Sequence, residues 1–358
     1  MSPAVNAAPA TAHHPRPVVD VRGLVKDFPV GGLLSRKTLR ALGGVDLDIH
    51  RGEIVALVGE SGSGKSTIAR CIARLEKPTA GSLVVDGIDV LLTEPRHASR
   101  AYRSKVQMVF QDPFGSLNPV HRVEHFLLRA LRLHGGERTP HERRVRLAEL
   151  MATVDLGEEL LDAYPHELSG GQRQRVAIAR ALAVDPEVIL ADEPTSMLDV
   201  SVRIGILNLL RRLRDERGIS VLFITHDLAS ARYVADRTVV MFAGEVVERG
   251  ESLALMAQPA HPYTQLLLSA VPDPRRAGSF DPVERARLRA QVLDAGSCPH
   301  GQDGACSTDG PVWHRAGSDH TVRCHLYRPQ ADVARRLLDV PTATTATMRA
   351  TSSKDDHA

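Results

Sequence analysis

Cysteine is scarce in this 358-residue chain. The four residues, at 71, 298, 306 and 324, are too few and too unevenly spaced for the disulfide framework of a small secreted scaffold. Lysine is nearly as scarce, with six residues at 26, 37, 65, 77, 105 and 354, so almost all the basic charge is arginine. An excess of one charge is missing too. The 45 Lys+Arg against 43 Asp+Glu leave +2, which argues against a dedicated binder of nucleic acid or another acidic polymer. No run approaches the roughly 18 apolar residues of a membrane span. Gly, Glu or Arg breaks the longest candidates, so any membrane role is expected to be peripheral. The opening MSPAVNAAPATAHHPRP lacks the apolar stretch of a signal peptide and reads as a disordered lead over residues 1–17. What is present, 43% hydrophobic residues, suffices for a sizeable core in roughly two domains at about 150 residues each.

After the lead, VVDVRGLVKDF (18–28) alternates as a strand does, and a Gly-rich basic connector follows at 31–40. VDLDI (45–49) turns through Arg51-Gly52 into the short apolar run EIVALV (53–58), the pattern of a buried strand. A Gly/Ser loop then leads into STIARCIARL, which is helical in spacing. From about 120 to 184 the chain reads as amphipathic helices separated by Gly/Pro connectors. Strand–helix alternation resumes with EVILA (187–191) and SVLFIT (220–225). The expected architecture is an α/β core with an inserted helical block. Beyond about 251 the chain is richer in Pro, Arg and Cys, and residues 331–358 read as a helix and a low-complexity tail.

Three motifs carry chemistry. Gly59, Glu60, Ser61, Gly62, Ser63, Gly64, Lys65, Ser66 and Thr67 match the phosphate-binding pattern GxxxxGK[ST] between a strand and a helix. Its glycines let successive N–H groups face a phosphate chain at a helix N-terminus. Lys65 would reach the β- and γ-phosphates, and Ser66 would ligate Mg²⁺. EVILADEP (187–194) brings Asp192 and Glu193 to the end of a buried strand, the first suited to the Mg²⁺ shell and the second to polarising water as general base. Alone it would be an ordinary strand exit. The third motif, Leu168-Ser169-Gly170-Gly171-Gln172, is another Ser/Gly helix start and by itself could be only a cap.

LSGGQ between a phosphate loop and a strand ending in two acids resembles the ATP-binding cassette (ABC) ATPases. The base-reading N/T-K-x-D of GTPases is absent. The resemblance implies a P-loop NTPase cassette over 18–250: a RecA-like core, a β-subdomain and an inserted helical subdomain. It further implies that Gln111 is the Q-loop residue that touches Mg²⁺ and senses a membrane partner. Asp199 matches the D-loop, with Met197 where the family usually has a small residue. His226 matches the switch histidine on the γ-phosphate, and Phe28 the aromatic that stacks on adenine. Two cassettes of this family pack head to tail, so Ser169, Gly170, Gly171 and Gln172 would serve the partner's ATP. A chain with one cassette and no span then implies a second ATPase subunit, expected to form a heterodimer. It also implies two membrane permease subunits and an extracytoplasmic solute-binding protein, with the ATPase peripheral on the cytoplasmic face. No nucleic-acid partner is implied.

FPVGGLLSRKTLRAL, FQDPFGSLNP (110–119) and HPYTQLLLSAVP (261–272) are similar to oligopeptide/dipeptide importer ATPases, a resemblance covering about 18–330. It makes 251–330 a C-terminal extension of that type and leaves nickel, glutathione or opines as alternative cargo. Several members hold an iron–sulfur cluster on four cysteines of that extension. Here Cys298, Cys306 and Cys324 fit, but Gln291 and Val292 stand where the first cysteine should fall. The missing thiolate argues against a four-iron cluster. His300, His314, His320 or Asp303 are the residues that could complete an iron or zinc site instead. Cys71 reads as core. A soluble cassette protein of translation or DNA repair is the competing class, but it would bring two cassettes, coiled coils or zinc modules. A non-hydrolysing regulator would lack Glu193 or His226.

Overall fold

The structure, a computed structural model, describes residues 16–31, 37–94, 97–112, 115, 117–134, 139–269 and 313–324. Strands β1 (Val19–Pro29) and β2 (Thr38–Ile49) pair antiparallel, and β1 also pairs with β4 (Ala80–Val85), which carries the short β5 (Ile88–Asp89). These form a four-stranded sheet in the order β2-β1-β4-β5. β2 begins at Thr38, inside the segment that reads as a connector in the sequence. Pairing with β1 through three register shifts, with Arg40 bonded to Asp27 at 2.9 Å, extends it past the apolar VDLDI run.

The second sheet has eight strands, ordered β11-β12-β10-β9-β3-β8-β7-β6. Its parallel part comprises β9 (Arg237–Phe242), β3 (Ile54–Val58), β8 (Ser220–Thr225), β7 (Val188–Asp192) and β6 (Val106–Val109). Every residue of β3, β7 and β8 is buried. That is why they read as unbroken apolar runs rather than alternating ones: parallel strands covered on both faces have no wet side. The two-residue period survives in where each side chain goes. Ile54, Ala56 and Val58 enter one core with Ile189, Val221 and Phe223, while Val55 and Leu57 enter the other with Leu190 and Leu222.

The first of those cores is covered by the helical block, α4 (Val123–His134), α5 (Pro140–Thr153) and α6 (Gly170–Leu182), and by α7 (Val200–Arg217) and α8 (Leu228–Val234). The second lies between the eight-stranded sheet, the four-stranded sheet and α1 (Lys65–Ile72), with the short α2 (Val90–Thr93) and α3 (Arg100–Lys105) at its margin. Cys71 sits fully buried there, its thiol pushed up to about 11 by desolvation, as expected of an inert core cysteine.

At the far edge, β10 (Glu245–Glu251) runs antiparallel to β9, followed by α9 (Ser252–Ala257) and α10 (Pro262–Ser269). The C-terminal segment then returns as a hairpin of β11 (Trp313–Arg315) and β12 (Thr321–Arg323), and β12 pairs with β10 through Glu248↔Val322. The C-terminal hairpin thus adds strands to the same sheet. Among the described residues, no helix is long and apolar enough to cross a membrane.

Candidate functional site

The parallel strands end level with one another. Val58 pairs with Thr225 across β3–β8, and Asp192 with Ile224 across β7–β8. The residues immediately beyond those ends, Gly59, Glu193 and His226, therefore emerge side by side at the carboxyl edge of the sheet, where open α/β sheets place their ligands. β8 lies between β3 and β7, so the phosphate loop and the acidic pair are brought together across an intervening strand whose own exit supplies the histidine.

Gly64 ends the loop and caps α1 with φ 101°, and no side chain caps the helix. A Cβ at Gly64 would sit 2.7 Å from the Ala41 carbonyl, so both the left-handed backbone and the close approach require glycine. Lys65 is 4% exposed, and its Nζ donates to the Gly59 carbonyl (2.8 Å) and the Glu60 carbonyl (2.6 Å). Burial lowers its pKa, against the opposing pull of Glu193, Asp192 and Glu60. Ser66 Oγ donates to Asp192 Oδ1 at 2.8 Å. Asp192 is raised above the usual carboxylate range by desolvation, with the Ser66 hydrogen bond and Arg70 acting the other way. A half-relieved buried carboxylate next to a hydroxyl is the hard-oxygen donor pair that Mg²⁺ favours, so these residues fit that ion.

Glu193 leaves β7 with φ 46°, a left-handed backbone unusual for a residue with a side chain. Its N–H completes the ladder to the Ile224 carbonyl (2.9 Å), and its carbonyl accepts from the Ser196 hydroxyl (3.0 Å), which holds the turn. The carboxylate is thereby swung toward two neighbours. Gln111 Nε2 donates to Oε2 at 3.1 Å, and His226 Nδ1 lies 3.3 Å from Oε1. The Glu193 side chain is 16% exposed and that of His226 59%. All three face a cavity of about 600 Å³, lined also by Ala41, residues 60–62 and residues 64–67.

Other expected site residues lie elsewhere. Phe28 is half-buried on β1 under Lys26, whose Nζ is 4.6 Å from the ring centre, and does not line the cavity. The lining position on that side is taken by Ala41. Ser169, Gly170, Gly171 and Gln172 begin α6 away from the cavity. There the Ser169 hydroxyl accepts from the Gln172 N–H (3.2 Å) while Gln172 Oε1 accepts from the Ser169 N–H (2.8 Å), a reciprocal cap. Gly171 has an intrachain reason to be glycine: a Cβ would lie 2.3 Å from Val202 Cγ1 on α7. Asp199 precedes α7, exposed beside Met197, Val200 and Ile204.

Of the C-terminal cysteines, 298 and 306 lie outside the described residues, as do His300 and Asp303. Cys324 is buried at the end of β12. His320, a candidate metal ligand by sequence, has its Nε2 taken up 2.5 Å from Glu248 Oε1. Among the described residues no group of three or more His, Cys, Asp or Glu could hold a metal ion. One contact at the site was not legible from the motifs. Tyr263 of the HPYT segment places its hydroxyl 2.8 Å from the Glu60 N–H, inside the phosphate loop.

Residues 42–196 match the family model for ABC transporters, and residues 247–302 match the oligopeptide/dipeptide transporter C-terminal region. The oligopeptide transport ATP-binding protein AppF of Bacillus subtilis is 39% identical over 329 residues, spanning 88% of this chain and 99% of AppF. The dipeptide transport ATP-binding protein DppF of Escherichia coli is 44% identical over 279 residues, 77% of this chain and 82% of DppF. Among solved structures, a dimeric ATP-binding cassette in a post-hydrolysis state with ADP and phosphate superposes with a TM-score of 0.57 at 36% identity, covering 65% of this chain and 98% of that one. The extent of these matches and the site geometry together place the chain in the ABC transporter ATPases, among the ATP-binding proteins that carry the oligopeptide/dipeptide transporter C-terminal region.

Proposed function

We propose that this chain is the motor subunit of a peptide importer, hydrolysing ATP at the cavity over the phosphate loop. The observation that carries the reading is the convergence on Glu193. Its carboxylate lies within 3.1 Å of Gln111 and 3.3 Å of His226, at the mouth of a loop whose lysine and serine are already in place. In this reading Lys65 exchanges its loop carbonyls for β/γ-phosphate oxygens. Ser66, Asp192 and Gln111 hold Mg²⁺, which when bound offsets charge on the phosphates. Glu193 takes the proton from the attacking water, oriented by Gln111, and His226 senses the γ-phosphate. Phe28 serves as the adenine-stacking aromatic only if the end of β1 moves against the nucleotide.

The start of α6 and Asp199, outside this cavity, serve the ATP of a second cassette packed head to tail, and the exposed Met197, Val200 and Ile204 are surfaces such a partner would cover. We take that partner to be a different chain. A groove of about 710 Å³ opens between β6 and the helical block, with stacked His121 and His125, Phe126 and Arg180 among its walls. It lies on the segment that carries Gln111, where a permease loop could be felt at the site. Two permeases and a solute-binding protein complete the assembly, with this subunit at the cytoplasmic face. Residues 18–250 form the nucleotide-binding unit and 251–330 the extension.

The cargo reading rests on the relatives with the same C-terminal region. Deleting the gene should abolish uptake of labelled di- and oligopeptides, restored by the wild-type chain but not by one carrying Glu193→Gln. Intact peptide uptake with lost nickel uptake would reassign the cargo, and full complementation by the variant would sink the assignment of the base.

A further inference from the structure

Tyr263 lies in the C-terminal extension, more than 200 positions from the phosphate loop in sequence, and is fully buried. A buried phenol requires a partner. The one it has is not a core group but the Glu60 N–H, which donates to the Tyr263 oxygen at 2.8 Å. That N–H belongs to the same planar peptide unit as the Gly59 carbonyl. The Gly59 carbonyl accepts from Lys65 Nζ at 2.8 Å. One rigid peptide plane at the entrance of the loop is therefore held at both ends, by the extension's tyrosine and by the loop's own lysine. Turning the plane to release one bond strains the other.

Behind Tyr263 the support is continuous. Its ring packs edge-on against Phe242 at the end of β9, with centroids 4.5 Å apart. Its N–H donates to His261 Nδ1 at 3.0 Å. Burial pushes His261 down to about 4, so the ring is neutral and Nδ1 is free to accept. The N–H groups of Ala260 and His261 both donate to the carboxylate of Glu248 (2.7 and 3.0 Å), which is fully buried and also meets His320 from the returning hairpin. Strand β10, the segment 260–263 and the terminal hairpin are thus tied into one polar unit that ends on the phosphate loop.

We propose that Tyr263 is a positioning residue for ATP: its hydroxyl sets the entrance of the phosphate loop and the resting place of Lys65, joining the C-terminal extension to the nucleotide site. On the proposed reading, nucleotide binding draws Lys65 from the Gly59 and Glu60 carbonyls toward the phosphates. The plane that Tyr263 holds keeps the loop from collapsing toward the lysine when that happens.

The proposal rests on the phosphate-loop reading, and the test separates the two. In the full chain, Tyr263→Phe removes one oxygen and keeps the ring. Loss of a neutral hydrogen bond corresponds to about a fivefold change. The expected result is a rise of that order in the Kd for a fluorescent ATP analogue and in the KM for ATP of the assembled transporter, with a fall of a few degrees at most in the thermal midpoint. Lys65→Ala is the control and should weaken binding further. If Lys65→Ala binds ATP like the wild type, the phosphate-loop reading falls and this inference with it. If Lys65→Ala loses affinity while Tyr263→Phe alters only the thermal midpoint, the tyrosine is merely structural and the proposal is overturned. Amide exchange in the wild type gives an arm independent of any variant: the Glu60 N–H should be protected, and free exchange there would also overturn it.

Discussion

The start of α1 and the start of α6 are both Gly/Ser-rich helix N-termini, and the chain treats them in opposite ways. At α1 the cap is Gly64 in a left-handed conformation with no side chain over the helix end, and a buried lysine stands beside it. At α6 the end is closed by its own residues, Ser169 and Gln172 exchanging hydrogen bonds. An unclosed helix end with a cation is ready for an anion by itself. The capped one has its Ser169 side chain and Gln172 N–H already engaged, and offers a nucleotide brought by another molecule what those bonds leave over. The asymmetry suits a device with a built half-site in each chain and a borrowed one from the partner.

The largest expected effect lies on the open side. Glu193→Gln keeps shape and the hydrogen bond from Gln111 but removes the base, so hydrolysis should fall by about two to four orders of magnitude. ATP should stay bound and hold two cassettes together in gel filtration. Near-normal turnover would mean that the convergence on Glu193 is not the catalytic centre.

A smaller effect tests the buried polar unit that stands behind the open side. His261 is neutral in the fold, its pKa lowered from 6.5 to about 4 by burial. The unfolded chain therefore binds an extra proton between those values, and stability is full above about pH 6.5 and declines as pH falls. The slope is about 1.4 kcal/mol per pH unit, or about 2 kcal/mol lost by pH 5. His261→Asn retains an acceptor for the Tyr263 N–H without a titrating group, and should flatten that slope in denaturation midpoints between pH 7.5 and 5. An unchanged slope would place the acid sensitivity elsewhere.

The smallest effect sharpens the closed side. Ser169→Ala should cost about 1 kcal/mol of stability through the lost cap. It should leave the ATP affinity of the isolated chain unchanged while lowering hydrolysis by the assembled pair. A shift in the isolated chain's affinity would show that the two helix starts are not independent, and the contrast would fail.

Much of the site was legible because its chemistry is local. A strand, a tight glycine turn and a helix are consecutive in the chain, so residues 59–67 announce their shape, and most of them line one cavity with Gln111, Glu193 and His226. The acidic pair at the end of β7 is local in the same sense. Contacts between distant segments were not legible. Phe28 reads as an adenine platform, yet its place on β1 is set by pairing with Leu39 of β2, and it does not line the cavity. His320 reads as a possible metal ligand, yet the hairpin carries it to Glu248. Tyr263 sits in a motif that marks the extension, and nothing in its neighbours points to Glu60.

By itself the sequence determined the α/β class, the phosphate loop, the acidic strand end and the family, because each depends on residue type at short separations, where chain geometry leaves few choices. Tertiary structure alone decided that β8 lies between β3 and β7, so that Gly59, Glu193 and His226 emerge together. It also decided that the C-terminal hairpin joins the same sheet and that Tyr263 reaches the loop. The physical reason is the same in each case. Strand order and long-range hydrogen bonds are settled by which apolar faces can be buried together and which buried polar groups find partners, and those are properties of the whole packed chain.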